Sequence, residues 1–340
     1  MNRRSILIPA LALLLIPASL WSLKTGATAV SWEAYNRLLH GEEVAGLSTI
    51  LWEFRLPRVL MSLLVGAGLS CSGASLQGLF RNPLVEPGLL GVSAGAALFA
   101  VLFFVFGTTA VWLPQWLPAI YLLPVWAFLG GLLVVSVIYR LAYRGRKTDI
   151  TLLILAGIAI NALAGAMIGL VLYFADDAAL RNFTFWTFGN ISGASWEKVT
   201  IAAPLILIPL LLLMRQYKLL NALAMGEKVA AHVGLRPEIA KKVLICLTAL
   251  IVGTCVALTG MIGFVGMVVP HLVRMVTGPD NRYVLPGSAL LGALLLLGAD
   301  TAARTLVAPA ELPIGILTAL IGSPFFIWLL WKMKRTMSFS

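Results

Sequence analysis

Ionisable side chains are rare inside the apolar runs of this 340-residue sequence, and two pairs of them could do chemistry. Asp300 and Arg304 are four residues apart, a spacing that places them on one face of a helix, where they can neutralise each other. His271 and Arg274 lie near the end of another apolar run. Inside a membrane such groups relay protons or coordinate ions, although a histidine there is more typical of hydrogen-bonded packing. So few ionisable groups indicate a driving force from outside the chain.

Motifs for catalysis are missing from the sequence. The phosphate-binding pattern G-x4-G-K-[S/T] does not occur, and the G-E-K tripeptide at 226–228 lacks the upstream glycine and the hydroxyl residue that contacts magnesium. The zinc-protease pattern H-E-x-x-H does not occur either. Cys71, Cys246 and Cys255 lie in apolar runs without metal-ligand spacing. We therefore predict no catalytic residue, no metal site and no cofactor bound by this chain.

The composition indicates a chain that lies mostly inside a membrane. Apolar residues make up 60% of it and charged residues 11%, with a mean hydropathy of +0.96. A soluble domain of this length would need a more polar surface. The net charge of +11 fits basic residues collected on the cytoplasmic side of a membrane protein. Since no basic stripe with interleaved aromatic residues occurs, we exclude nucleic acid as a partner.

Ten apolar runs are long enough to predict helices, given that roughly 20 residues cross a hydrocarbon core of about 30 Å. The fold class is therefore an all-α polytopic membrane protein with a single transmembrane domain over residues 1–340. The first run could be a signal peptide, but we expect it to be retained as a helix. The predicted helices are 5–24, 55–79, 92–107, 120–142, 150–174, 199–216, 242–262, 264–277, 285–307 and 313–332.

The distribution of basic residues predicts the orientation. With the N-terminus inside, the cytoplasmic segments hold 18 of the 25 lysines and arginines, and the outer segments hold seven. Such an excess is the positive-inside bias of membrane proteins. An even number of spans then places both termini in the cytoplasm. On this topology the segment 219–235, LLNALAMGEKVAAHVGL, is cytoplasmic, polar and helix-prone, and we expect it to bind a soluble partner.

Four long blocks carry a family resemblance. They are RLPRVLMSLLVGAGLSCSGASLQGLFRNPLVEPGLLGVSAGAA at 55–97, LNALAMGEKVAAHVGL at 220–235, GFVGMVVPHLVRMVTGPDNRYVLPGSALLGALLLLGADTAAR at 263–304 and ELPIGILTALIGSPFFIWLL at 311–330. Together they resemble the FecCD-type permeases of ABC importers, which take up iron chelates, haem and cobalamin. The segment 175–187, with its A-D-D-A-x-L-R pattern, resembles the haem-importing branch.

The resemblance implies the architecture and the partners. Such permeases have ten transmembrane helices in the type II ABC importer arrangement, both termini in the cytoplasm, and form homodimers with the pathway between the two copies. Each copy docks one cytoplasmic ATPase, which binds the ATP and Mg. A periplasmic or lipid-anchored binding protein delivers the substrate, and the pathway works by alternating access in a bacterial inner membrane.

The resemblance also implies three groups of site residues. The segment 219–235 corresponds to the coupling helices, with Gly226 separating two short helices. Outer arginines of the family pair with carboxylates of the binding protein, although interfacial positions or internal salt bridges, such as Arg58 with Glu53 or Arg304 with Asp300, are the alternative. A short helix near the outer gate is expected after the fifth span. The residues are Leu223, Gly226, Glu227, Ala230 and Leu235 for coupling, Arg55, Arg58 and Arg304 for docking, and Phe183, Phe185 and Trp186 for the gate.

The substrate that we expect is an iron-containing chelate, with haem as the first choice. A ferric siderophore and cobalamin are the alternatives within the family. An ion-coupled secondary transporter and a membrane-bound enzyme are alternatives of other classes. The first predicts uptake without any ATPase, and the second predicts turnover by the purified chain alone.

Overall fold

Thirteen helices follow one another in the described part of the chain. The structure, a computed structural model, describes residues 3–26, 37, 40, 46–107, 118–145 and 147–337. The helices are α1 (Arg3–Lys24), α2 (Leu47–Phe80), α3 (Val92–Phe106), α4 (Ala119–Ala142), α5 (Ile150–Tyr173), α6 (Asp177–Thr187), α7 (Trp196–Met214), α8 (Tyr217–Met225), α9 (Glu227–His232), α10 (Pro237–Thr259), α11 (Val265–Thr277), α12 (Asn281–Ala303) and α13 (Ile314–Met337). A 3-10 helix, Pro87–Leu90, precedes α3, and the strands β1 (Tyr143–Arg144) and β2 (Lys147–Thr148) form an antiparallel hairpin after α4.

Each of the ten predicted spans coincides with a helix, which confirms the all-α membrane fold. Eight of the helices are long and apolar enough to cross a membrane, and the other two predicted spans are the shorter apolar helices α3 and α11. The count of ten spans and the side on which the termini lie stay predictions. The boundaries differ most at α2, which begins at Leu47 instead of residue 55 because a π-helical segment, Ile50–Arg55, extends it.

Side-chain caps explain where several helices begin. Asp149, Asp176, Ser195 and Asp280 each accept a hydrogen bond from a backbone N–H two or three residues further on. Such caps satisfy amide groups that the first helical turn leaves without a partner. The cap at Asp280 places the start of α12 four residues earlier than the predicted 285, because the polar turn before Leu285 is already helical.

Helix α2 lies at the centre of the bundle and is mostly buried. It packs on α12 and α11 through glycines: a Cβ atom at Gly66 would overlap the carbonyl oxygen of Gly292, and one at Gly73 would overlap that of Gly266. Small residues allow membrane helices to approach this closely. Helices α1, α5 and α13 lie at the periphery, with most of their apolar side chains exposed. The rigid centre therefore connects both ends of the bundle, while peripheral helices remain available for lipid or a second copy.

Candidate functional site

The predicted coupling region, 219–235, lies within the segment 217–235, which contains α8 and α9 joined at Gly226 and which we call the coupling segment. Gly226 has φ +128° and ψ 145°, a conformation that side-chain-bearing residues rarely adopt. Its two helices are thus separate, as the sequence predicts. Leu223 and Ala230 are buried, Leu235 is half-buried, and Glu227 is 40% exposed.

Three other residues of the coupling segment form its apolar exposed surface. Met225 is 65% exposed, Val229 40% and Val233 68%. Leu223 and Ala230 therefore hold the segment to its own bundle, and the side chains that face outward are residues that sequence reasoning did not single out. The regular four-residue spacing of Met225, Val229 and Val233 is the feature of the sequence that could have identified them. Exposed apolar side chains grouped in this way mark an interaction surface.

A buried lysine holds the base of the coupling segment. Lys241, on α10, has 2% of its side chain exposed, and its Nζ donates to Glu227 Oε1 at 2.8 Å, Glu238 Oε1 at 3.0 Å and the Thr148 carbonyl at 2.9 Å. The Thr148 N–H in turn donates to Glu238 Oε2 at 2.6 Å. One ammonium group therefore joins α9, α10 and the hairpin.

A second polar contact joins the coupling segment to α12. The side chain of Asn221, on α8, donates to Asp280 at 2.8 Å and accepts from the Asn281 N–H at 2.9 Å. Asp280 also caps α12. The start of α12 is therefore fixed to α8, so the coupling segment is tied to one of the long central helices.

At the other end of α2 and α12, a charged pocket of roughly 470 Å³ is lined by Arg55, Arg58, Arg304 and Glu311 together with Ile50 and Phe54. Arg58 is the central member: its Nε donates to both oxygens of Asp300, at 2.9 and 3.1 Å, and its Nη1 to both oxygens of Glu311, at 2.8 and 3.0 Å. Hydrogen bonds between a guanidinium group and a carboxylate are charge-assisted and therefore stronger than neutral ones.

Arg55 and Arg304 are nearly inaccessible and hold the end of α1. The Arg55 Nη1 donates to the carbonyls of Leu23 at 2.6 Å and Lys24 at 2.9 Å, and the Arg304 Nη2 donates to the carbonyl and hydroxyl of Ser22. The last carbonyls of a helix lack partners within the helix, and these guanidinium groups supply them. The predicted docking arginines therefore all have internal contacts.

The acids that pair with Arg58 differ from the internal partner that the sequence predicted for it. Arg304 Nε lies 3.7 Å from Asp300 Oδ2, as the spacing of four predicted. Among the described residues, however, Arg58 pairs with Asp300 and Glu311 and not with Glu53. Sequence reasoning missed Glu311 because it lies 253 residues from Arg58. The sequence marks Glu311 only as an acidic residue in an otherwise apolar stretch.

The residues predicted for the outer gate lie on α6 and differ in exposure. Phe183 is buried and stacks with the half-buried Trp186 at 6.3 Å between ring centroids, whereas Phe185 is 59% exposed. The turn after α6 is fixed by backbone bonds, from Gly315 N to Phe188 O at 2.9 Å and from Asn190 N to Thr259 O at 2.6 Å. This short helix is thereby joined to α10 and α13.

A second cavity, of roughly 560 Å³, opens beside this turn. It is lined by Thr187 and Phe188 after α6, by Gly263 and Phe264 between α10 and α11, and by Ser323 among other residues of α13. We call it the junction cavity. It is mostly apolar with a few hydroxyl groups, a lining that suits weak contacts with a large apolar solute.

Glu86 connects the segment before α3 to this junction. Its Oε1 accepts a hydrogen bond from the Phe264 N–H at 3.3 Å. Phe264 has φ +66° and caps the start of α11, so the carboxylate lies where the helix dipole favours negative charge. Burial raises the pKa of Glu86, and the bond from Phe264 opposes this rise. Nothing in the sequence pattern singled out this residue.

Arg274 and His271, which the sequence pointed to, both lie in polar or aromatic contacts. Arg274 donates to the Gln77 side chain and to the Ala74 carbonyl, and Gln77 also donates to Met267 O at 3.2 Å. The His271 ring lies edge-on to Phe325 at 6.1 Å. The two residues thus join α11 to α2 and α13 respectively.

Comparison with known proteins gives consistent matches along the whole chain. The FecCD transport family pattern matches residues 13–332. The hemin transport system permease protein HmuU of Yersinia pestis is 44% identical over 329 residues, which is 96% of each chain. The vitamin B12 import system permease protein BtuC of Escherichia coli O9:H4 is 43% identical over 286 residues, 84% of each chain. A solved structure, an inward-facing metal-chelate type ABC transporter, superposes with a TM-score of 0.84 at 33% identity and covers 96% of this chain and 98% of that one.

Proposed function

Because the chain belongs to the FecCD transport family, we propose that it is the permease subunit of an ATP-driven importer of haem, in a bacterial inner membrane. The observation that carries the choice of haem is the 44% identity to a hemin permease over nearly the full length of both chains. A cobalamin importer is the second candidate, since a vitamin B12 permease is 43% identical over a shorter stretch. A ferric siderophore is the third.

The energy for transport comes, in this proposal, from a separate ATPase subunit that binds the coupling segment. Met225, Val229 and Val233 supply an exposed apolar surface for it, and Glu227 lies beside them at 40% exposure. Gly226 sets the angle between the two short helices. Because Lys241 and Asn221 fix this segment to α10, the hairpin and α12, a movement of the ATPase would be passed on to the spans.

The substrate pathway is proposed to run between two copies of the chain, beside the junction cavity. Thr187 and Phe188, which directly follow the residues proposed for the gate, line this cavity together with α13. A lining that binds weakly allows a solute to leave again, as conduction requires. The binding protein is proposed to dock at the charged pocket through Arg58, with Arg55 and Arg304 holding the end of α1 beneath it.

Substrate-dependent ATPase activity tests the proposal. The chain is reconstituted in vesicles with its ATPase and binding protein, and haem, a ferric siderophore or cobalamin is added. We expect haem to stimulate hydrolysis and to enter the vesicles, with no uptake when the ATPase is omitted. Stimulation by cobalamin alone would move the second candidate to first place. Uptake that persists without ATPase and that an ionophore abolishes would overturn the proposal in favour of an ion-coupled transporter.

A further inference from the structure

The two acids on Arg58 differ sharply in their access to water. Asp300 has 1% of its side chain exposed and lies on the buried face of α12, where Arg304 also approaches it. Glu311 has 37% exposed and lies in the segment between α12 and α13. A buried carboxylate beside two guanidinium groups cannot leave without stranding charge. A half-exposed carboxylate exchanges its contact for water at little cost.

The formal charges of the pocket also point to Glu311 as the exchangeable member. Arg55, Arg58 and Arg304 face two acids, so the pocket carries one positive charge with Glu311 in place and two without it. Arg58 Nη1 donates to both oxygens of Glu311, a charge-assisted contact that any carboxylate can make in its place. Another carboxylate that entered this cavity would compete with Glu311 for the same atom.

We propose that Glu311 is a built-in competitor for Arg58, which a carboxylate of the docking binding protein displaces. This inference rests on the proposed function, because it needs a binding protein that docks at this end. It adds that the permease limits its own affinity for the binding protein. The free energy gained at Arg58 is only the difference between the contact of the incoming carboxylate and that of Glu311. Such a device keeps docking reversible, so that an emptied binding protein can leave.

The variant Glu311→Gln tests this competition. Glutamine keeps the size of the side chain but removes the charge, so the docking carboxylate meets a weaker competitor. The affinity of the binding protein for the complete permease–ATPase complex in nanodiscs is measured at low and high salt. We expect the variant to bind about three- to tenfold more tightly at low salt and this difference to shrink at high salt. The control Glu197→Gln removes an exposed acid at the start of α7 and should bind as the wild type does.

The outcomes separate the competitor role from a structural one. If Glu311 only stabilises the fold, Glu311→Gln lowers the unfolding temperature and binding is unchanged or weaker, which overturns the inference. Glu311→Asp keeps the charge on a shorter side chain, so we expect binding between that of the wild type and the glutamine variant; this variant also serves if the glutamine variant does not fold. A wild-type complex that imports haem but shows no tighter docking in either variant sinks the inference and leaves the proposed function standing. A wild type that binds no binding protein refutes both.

Discussion

Glu86 shows how a single carboxylate can hold several segments of the bundle together. It accepts from the backbone of Phe264 at the start of α11, where the chain turns through a left-handed residue. Phe264 lines the junction cavity and packs its ring on Gly322, where an added Cβ would overlap it. One hydrogen bond therefore connects the segment before α3, the junction of α10 with α11, and α13.

Protonation of Glu86 predicts a pH dependence of stability. Its pKa is raised in the folded chain, because burial disfavours the charged form. A carboxyl with a raised folded-state pKa stabilises the fold most below its unfolded pKa, near 4.3, and this contribution is lost as the pH rises through the folded-state value. Glu86→Gln keeps an oxygen for the Phe264 N–H but cannot ionise. We therefore expect the variant to gain thermal stability relative to the wild type as the pH rises from 4 to 8.

Thermal unfolding of the two proteins in the same detergent measures this difference. Glu197→Gln, an exposed acid in α7, is the control and should show no such trend. If the unfolding temperatures of the wild type and of Glu86→Gln change in parallel across the pH range, the buried charge of Glu86 does not destabilise the fold. At pH 4 Glu86→Ala should be less stable than both, because the Phe264 N–H loses its acceptor, at about 1 kcal/mol.

Gly226 supports a prediction about coupling. Its φ of +128° is strained for any side chain, although the nearest atom to an added Cβ, from Val229, would lie 3.8 Å away. Gly226→Val therefore changes the backbone angle without creating a clash, and the cost is about 1–3 kcal/mol of local strain.

We expect the spans of the Gly226→Val variant to remain folded while ATP hydrolysis no longer drives uptake. The readout is the ratio of ATP hydrolysed to haem imported, with Gly46→Val as control, because Gly46 also has a positive φ and open space around it but lies outside the coupling segment. Unchanged coupling would refute the role of this break.

At the scale of elements, the coupling segment owes its position to long-range contacts. Lys241 is the clearest case, because it joins α9, α10 and the hairpin from a single ammonium group. Lys242, the next residue, is exposed. The two lysines thus offer a matched pair of variants, alike in chemistry and different in surroundings.

Lys241→Met should loosen the coupling segment. The variant leaves the Thr148 carbonyl without its donor, while Glu227 and Glu238 are exposed enough to be solvated. We expect a loss of about 1–3 kcal/mol in the free energy of unfolding and faster hydrogen exchange in α8 and α9. Hydrogen exchange measured by mass spectrometry locates the change, and Lys242→Met should leave the exchange pattern as in the wild type. Equal effects of the two variants would mean that Lys241 carries no special contact.

The sequence allowed the helices to be predicted better than their contacts. Apolar runs such as 150–174 predict α5 to within a residue, because crossing hydrocarbon demands length and hydropathy. The break at Gly226 was also predictable, because glycine in a helix-prone segment is a local signal. The pairing of Arg58 with Glu311 was not, since pattern reasoning cannot decide which of several acids 200 residues away will lie nearest. For the same reason Leu223 and Ala230 were expected to face the ATPase, although tertiary packing buries them.

At the scale of the whole molecule, the two ends of the bundle have different chemistry. One end has a rigid segment with exposed apolar residues, and the other has a pocket of paired charges. Helices α2 and α12 extend between them and approach each other closely at Gly66 and Gly292. Two packed helices therefore connect the coupling segment with the charged pocket, and through them the proposed ATPase would act on the far end of the bundle.

The proposed homodimer can be tested on α5. Gly165 and Gly169 lie four residues apart on this peripheral helix, and a Cβ atom at either would meet nothing within 4 Å. This small-residue spacing is typical of close contact between membrane helices, whereas Leu211 on α7 is a bulky side chain that is 58% exposed. Two copies should therefore meet through α5, with α7 facing lipid.

Cysteine crosslinking measures this contact. Gly169→Cys should crosslink two copies in native membranes, and Leu211→Cys should not, both in a background where the exposed Cys246 is serine. Crosslinking only through Leu211→Cys would place the dimer contact on α7 and would move the proposed substrate pathway with it.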